Sequence, residues 1–144
     1  MLIDLNNVGT FIKIIKRDRE MTYKQMAEQL NAKYSLFLSW KNGKGIESRT
    51  LFRIIEGFEY RLRINKIPVR YDSLGVTLIS EIQKIYPGKS LAKVSTEILG
   101  MSESFFYLLK KQNSISPLTL QYVCDELGFE IDVQKIGRPS LENS

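Results

Sequence analysis

The sequence predicts a mainly α fold in which one unit, a bundle of four or five short helices closed by a β-strand, is written twice in tandem. Three observations predict it. Apolar residues recur at helical spacing behind residues that cap helices, two segments alternate apolar and polar residues, and the chain resembles itself at a spacing near 70 residues. T-L-F-R-I-I-E-G-F-E-Y-R-L-R-I (50–64) aligns with T-L-Q-Y-V-C-D-E-L-G-F-E-I-D-V-Q-K-I (119–136). Thr50-Leu51 matches Thr119-Leu120 at an offset of 69, and Gly57-Phe58-Glu59 matches Gly128-Phe129-Glu130 at an offset of 71. The later copy therefore carries two more residues in that helix.

In the first copy, Val8, Phe11, Ile12 and Ile15 form the inner stripe of a helix that Asn6 or Asn7 can cap. Thr22 starts a second helix with Gln25 three positions on, the pattern of a capping box, and Met26, Ala27 and Leu30 form its apolar stripe. A short break at Asn31-Ala32 leads into Y-S-L-F-L-S-W-K-N-G-K (34–44), which Gly43 and Gly45 end, and Ser48 to Glu56 supply a further helix. The second copy has the same order. Leu78, Ile82 and Ile85 stripe its first helix, Pro87-Gly88 breaks it, and the chain restarts at Ser90. Leu99-Gly100-Met101-Ser102 is a tight turn with Ser102 capping the next helix. Ser116-Pro117 opens the last one, a cap followed by proline in the first turn.

Each copy closes with alternation: Phe58, Tyr60, Leu62 and Ile64 against Glu59, Arg61 and Arg63, then Phe129, Ile131 and Val133 against Glu130, Asp132 and Gln134. A lone strand leaves backbone groups unpaired, so each needs a partner, from the other copy or from a second chain. Pairing within the chain is favoured, because Arg61 and Arg63 of one strand complement Glu130 and Asp132 of the other. The expected organisation is a first repeat at 1–66 with its strand at about 58–65, and a connector at 67–75. A second repeat at 76–136 follows, with its strand at about 129–136, and then a tail at 137–144.

Composition narrows the function. The chain has no histidine and one cysteine, which removes zinc tetrads, Ser-His-Asp triads and Cys-His pairs. No carboxylate or lysine pair is placed for catalysis, so neither an enzyme nor a cofactor or metal is expected. Cys124 lies in an apolar pattern and is read as packed rather than reactive. No apolar run approaches a membrane span, and the start lacks a signal-peptide pattern, so a cytoplasmic protein that does not bind membranes is expected. The net charge of +5 is uneven: residues 1–72 hold 14 Lys and Arg against 8 Asp and Glu, and residues 73–144 hold 7 against 8. A basic first half favours an anionic partner, nucleic acid being the commonest.

These residues resemble the helix-turn-helix domains of the phage repressor, Cro and Xre type. That family has a capped helix with a small residue midway, a Leu-Gly-apolar-Ser turn, and a recognition helix ending in an aromatic-charged-polar-Gly sequence. Thr22, Ala27, Leu30, Phe37 and Trp40-Lys41-Asn42-Gly43-Lys44 match it in the first copy. Asn31 stands for the turn glycine and Lys33 for the serine cap; asparagine tolerates the left-handed backbone the turn needs. The second copy has the better turn, Leu99-Gly100-Met101-Ser102. It also has one extra residue in its second helix, Leu109 where the first has Trp40, and Gln112 for Gly43.

The resemblance implies two lambda-repressor-like bundles and binding to double-stranded DNA. At 100° per residue, Phe37 and Trp40 point inward, and Ser35, Ser39 and Asn42 lie opposite. In such domains that outward face enters the major groove, where Ser35, Ser39 and Asn42 can bond base edges and Leu36 or Leu38 can meet a thymine methyl. Tyr23, Lys24, Lys33, Lys41 and Lys44 are then placed for phosphates. The bland reading is a buried helix with solvated lysines. In the second copy the outward face is Ser104 and Leu108, flanked by Phe105 and Tyr107 and followed by Lys110 and Lys111. Phe105, Tyr107 and Leu108 suit a protein interface or a homodimer better than wet phosphate contacts.

The expected function is thus a DNA-binding transcriptional regulator, a repressor of the kind phages and mobile elements carry, with the first repeat reading DNA and the second organising the molecule. The alternative is an inhibitor or adaptor that uses the fold to occupy a partner's regulatory or nucleic-acid-binding surface. Both copies contacting half-sites, as a built-in dimer, is a further arrangement open to the sequence. Two short patterns are set aside. Gly88-Lys89-Ser90 has Gln83 where a phosphate loop needs glycine, and Gly137-Arg138-Pro139 lacks the flanking basic residues of a minor-groove arm.

Overall fold

A computed structural model describes residues 1–136; the tail at 137–144, with Gly137-Arg138-Pro139, lies outside the described residues. The described chain is mainly helical, with a small antiparallel sheet. After a 3-10 turn at Leu5–Asn7 come α1 (Val8–Asp18), α2 (Tyr23–Gln29), α3 (Tyr34–Lys41) and α4 (Ser48–Gly57), then the hairpin β1 (Tyr60–Ile64) and β2 (Ile67–Val69). A second 3-10 turn, Tyr71–Ser73, leads into α5 (Leu74–Ile85), α6 (Leu91–Lys93), a π turn at Val94–Ile98, α7 (Phe105–Gln112), α8 (Pro117–Leu127) and β3 (Ile131–Lys135). No described helix is long and apolar enough to cross a membrane.

The helix ends follow local chemistry. Asn7 accepts from the Thr10 amide, Thr22 and Gln25 form the reciprocal capping box, and Ser90 and Ser116 accept from the amides of Lys93 and Thr119. Each satisfies a donor that the first helical turn leaves without a partner. Asn31 sits at φ +54°, the left-handed conformation that its glycine counterpart, Gly100, adopts at +65°. Ser102 is a correction. The α7 helix begins only at Phe105, and no side chain caps it. The Ser102 carbonyl instead accepts from the Ser95 hydroxyl and the Phe105 amide, which holds the turn open for three more residues.

The extra residue in the second helix of the later copy has a visible consequence. Tyr23–Gln29 is regular α-helix, whereas the helix that begins at Leu91 widens into the π turn at Val94–Ile98, with the Leu99 amide donating to the Val94 carbonyl five residues back. A π turn accommodates one additional residue without moving the flanking turns, so the insertion is absorbed within the helix.

The strands pair within the chain, in the order β2-β1-β3. The register joins Leu62 to Val133, Tyr60 to Lys135 and Ile64 to Ile131. At the repeat offset of 71, Val133 is the counterpart of Leu62, so two equivalent residues face each other. The flanking pairs then exchange copies about that point, as a local two-fold axis requires. The backbone continues the rule one residue further: the Asn65 amide donates to Glu130 at 2.8 Å and the Ile136 amide to Glu59 at 2.7 Å.

Two strand expectations change. The stretch read as connector, 67–75, contains β2 and the first residues of α5, giving three strands rather than two. Asn65 and Lys66, at φ +52° and +66°, make the two-residue turn that joins β1 to β2, the conformation that type I′ hairpins need. Arg63 does lie opposite Asp132, its Nε 2.8 Å from Oδ1 and a second bond formed by Nη2. Arg61, however, lies opposite Gln134, and its Nε is 3.8 Å from Glu56 of α4. The strands are offset by the register that puts Leu62 on Val133, which leaves only one of the two expected charge pairs aligned.

The copies also embrace reciprocally. The 3-10 turn ahead of α5 packs on α4 through Tyr71, with Phe52 edge-on at 6.3 Å and the Arg49 guanidinium 5.1 Å from its ring centre. The 3-10 turn ahead of α1 meets α8, where Gln121 Oε1 accepts from the Leu5 amide at 2.8 Å. Strand β2 precedes the second copy yet pairs with β1 of the first. Residues ahead of α1 in the first copy reach β3 of the second, Leu2 bridging to Asp132. Buried side chains of both copies accordingly form one continuous core, in which Cys124 is enclosed and its thiol is pushed up to about 12 by burial. Ile85 is the exception in its stripe, exposed at the last residue of α5 where the chain leaves the core.

Candidate functional site

Helix α3 is anchored by one face and free on the other. Phe37 and Trp40 are buried, ring centres 6.4 Å apart, while Ser35 and Asn42 are exposed and Leu36 is 43% exposed. Leu38 and Ser39 are half-buried. The Ser39 hydroxyl donates to the Ser35 carbonyl one turn back at 3.2 Å, so its proton is engaged and its lone pairs remain to accept.

Both ends of α3 are fixed. At its start, Arg53 of α4 reaches across the α2–α3 turn, donating to the carbonyls of Leu30 at 2.8 Å and Asn31 at 3.1 Å, with its guanidinium 5.2 Å from the Trp40 ring. At its end, Gly9 of α1 sits so close that a Cβ there would lie 2.3 Å from the Lys41 carbonyl oxygen. Only hydrogen fits, and α1 thereby sets the position of the last turn of α3.

The second copy repeats both devices with different residues. Tyr122 of α8, the counterpart of Arg53, donates to the Leu99 carbonyl at 2.7 Å, and a Cβ on Gly75 would lie 2.8 Å from the Leu109 carbonyl. Neither was legible in the sequence. Arginine and tyrosine share no pattern, and a glycine in a first helical turn carries no sign of what it approaches.

The cations gather around α3. Tyr23, half-buried at the first turn of α2, packs against Phe37 at 6.4 Å, with Lys16 Nζ 5.1 Å and Lys41 Nζ 4.7 Å from its ring centre. The sequence pointed to Tyr23 and Lys41 but not to Lys16, which the last turn of α1 carries alongside them. Lys24 is exposed on the first turn of α2; Lys33 immediately precedes α3 without capping it and Lys44 follows it, both exposed. Eight helical residues span about 12 Å, so these last two bracket the open face at its ends.

In α7, Phe106 and Leu109 are buried, with Tyr107 67% and Leu108 46% exposed. Ser104, Lys110 and Lys111 are also exposed. Phe105 departs from the expected row: it is half-buried and packs edge-on to Phe106 at 4.9 Å, because it lies one turn before buried Leu109 on the same side of the helix. The apolar outer surface of α7 thus narrows to Tyr107 and Leu108.

At the seam between copies the end of α3 meets the start of α8, and the end of α7 meets the start of α4. Lys41, Asn42 and Gly43 share a cleft of about 440 Å³ with Ser116, Pro117, Leu118 and the start of α1. Across the same seam, the buried Ser48 hydroxyl donates to the Asn113 carbonyl at 2.5 Å and accepts from the Ile115 amide at 3.1 Å. Compared with known protein families, characterised proteins and solved structures, the chain matches none.

Proposed function

We propose that the protein is a sequence-specific DNA-binding transcriptional regulator, a repressor of the kind carried by phages and mobile elements, built as two helix-turn-helix units. In this reading α3 enters the major groove. One observation carries it: the face of α3 opposite Phe37 and Trp40 bears exposed Ser35 and Asn42 and half-buried Ser39 between Lys33 and Lys44, with exposed Leu36 at its edge and Lys16, Tyr23 and Lys41 at its flank. Serine and asparagine offer donors and acceptors to base edges, Leu36 offers a methyl contact, and the ammonium groups suit phosphates on either side. Rigid fixation at both ends by Arg53 and Gly9 favours precise reading, since a helix that rocks cannot hold several base contacts together.

The second unit organises the molecule through the shared sheet and seam. Selection of bound duplexes from a random pool at two salt concentrations tests the reading. Enrichment of one sequence, with affinity falling steeply as salt rises, is the expected result; no enrichment at either concentration refutes it. A second reading, a protein-binding inhibitor or adaptor, is favoured by exposed Tyr107 and Leu108 on α7. It predicts a copurifying protein that Tyr107→Asp releases while duplex binding is absent.

A further inference from the structure

We infer that a single chain binds DNA as an internal dimer, laying α3 and α7 on one duplex against two half-sites of unlike sequence. This rests on the reading of α3 given above and extends it to the second copy. The carrying observation is the symmetry of the molecule. Leu62 faces its own counterpart Val133, the backbone bonds Asn65–Glu130 and Ile136–Glu59 exchange copies about that pair, and each leading 3-10 turn packs on the other copy's last helix. A two-fold that relates the copies relates α3 to α7 as well, and gives their outer faces the same component along the axis.

The seam ties the end of each reading helix to the other copy. Asn113, bonded to Ser48, ends α7, and Asn42 and Gly43 at the end of α3 share the seam cleft with Ser116 and Pro117. Each reading helix, eight residues or about 12 Å long, therefore ends against the other copy, which holds the two in one fixed relation. Binding both to one duplex requires that relation to match the ~34 Å between successive major-groove faces. The pairing that a separate copy would otherwise satisfy is already made inside the chain, so no second chain is needed for two heads.

The halves differ because the reading faces differ. At the offset of 69 that matches Phe37 to Phe106 and Trp40 to Leu109, the counterparts of Ser35, Ser39 and Asn42 are Ser104, Leu108 and Lys111. All three are exposed, and Lys110 extends the positive charge. Where α3 presents amide and hydroxyl groups, α7 presents an aliphatic group suited to a thymine methyl and an ammonium suited to guanine O6 and N7. A palindromic site fits this chain poorly; a bipartite, asymmetric one fits it well.

The test uses the full chain. Duplexes selected by the wild type are footprinted, the mass of the complex is measured, and selection is repeated with Lys111→Ala, Leu108→Ser and Asn42→Ala, all exposed substitutions checked for native circular dichroism. The expected result is one chain per duplex on two dissimilar halves centred about 10 base pairs apart. Lys111→Ala and Leu108→Ser should relax one half and weaken binding by about tenfold, and Asn42→Ala should relax the other. A single short site indifferent to Lys111→Ala and Leu108→Ser, or a palindrome carrying two chains, overturns the inference and leaves the reading of α3 standing. Absence of any enriched duplex with the wild type overturns that reading, and this one with it.

Discussion

Leu62 faces Val133 across the β1–β3 pair, and the two residues occupy the same position of the repeated unit. Both are buried, so the contact that joins the copies is also part of the core of each. The copies are therefore expected to unfold together. Trp40, the only tryptophan, reports on the first copy by fluorescence, and far-ultraviolet circular dichroism reports on both. Their urea transitions should coincide, and Leu62→Ala should move both to lower urea by the same amount, corresponding to about 2–4 kcal/mol. Separate transitions would show that the copies are independent domains.

Gly9→Ala sets two effects against each other. Alanine gains up to about 1 kcal/mol of helix propensity. Its Cβ, though, would lie 2.3 Å from the Lys41 carbonyl, a backbone atom that moves only if α1 or α3 moves. Overpacking against backbone costs about 1–3 kcal/mol and outweighs the gain. The thermal midpoint should fall, and duplex affinity measured well below that midpoint should fall as well, because the displaced element is the last turn of α3. An unchanged midpoint would mean that the close approach is absent in solution.

Acid should destabilise the protein in a way two carboxylates explain. Hydrogen bonding from Arg63 holds Asp132 below its ordinary range, and the bonds from Lys84 and then Asn65 do the same for Glu81. A depressed folded-state value means stability that is full above the ordinary carboxylate range and is lost as pH falls through the folded values, so loss should begin below about pH 4. Asp132→Asn with Glu81→Gln should lower the urea midpoint at pH 7 and flatten its decline between pH 5 and 2.5. A decline as steep as that of the wild type would assign it to other groups.

Salt dependence separates the two kinds of contact on α3. Removing Lys33, Lys41 and Lys44 together should weaken binding to every duplex and reduce the slope of log affinity against log salt by up to about 0.9 for each lysine that contacts a phosphate. Ser35→Ala and Asn42→Ala should leave the slope unchanged and alter which sequence is preferred. Lys16→Ala belongs with the lysines if the Tyr23 cluster lies on the backbone. Lysine variants with unaltered affinity would remove α3 from the interface.

Much of the architecture is legible in the chain itself. Apolar spacing and capping residues determined the helices, since Asn7, Thr22, Ser90 and Ser116 act within one turn and need no distant partner. Alternation determined β1 and β3, and the repeat determined that they belong together. Ser102 misled because the same serine can cap a helix or continue a turn, and the choice depends on Ser95, seven residues away. Strand β2 was hidden because its hairpin turns on Asn65-Lys66, where lysine gives no turn signal and asparagine is held by Glu130 and Glu81 from elsewhere in the fold.

On the candidate site, the sequence by itself determined the faces of α3, because a helix of known phase places Phe37 and Trp40 opposite Ser35 and Asn42. Only the tertiary structure decided how that helix is held and what stands beside it. Arg53 on Leu30 and Asn31, Gly9 on Lys41, and Lys16 on Tyr23 join residues from different helices, and no local period relates them. The same reason governs the symmetry. A repeat in sequence says that a unit occurs twice, but which residue faces which is fixed by long-range register, and here that register puts Leu62 on Val133.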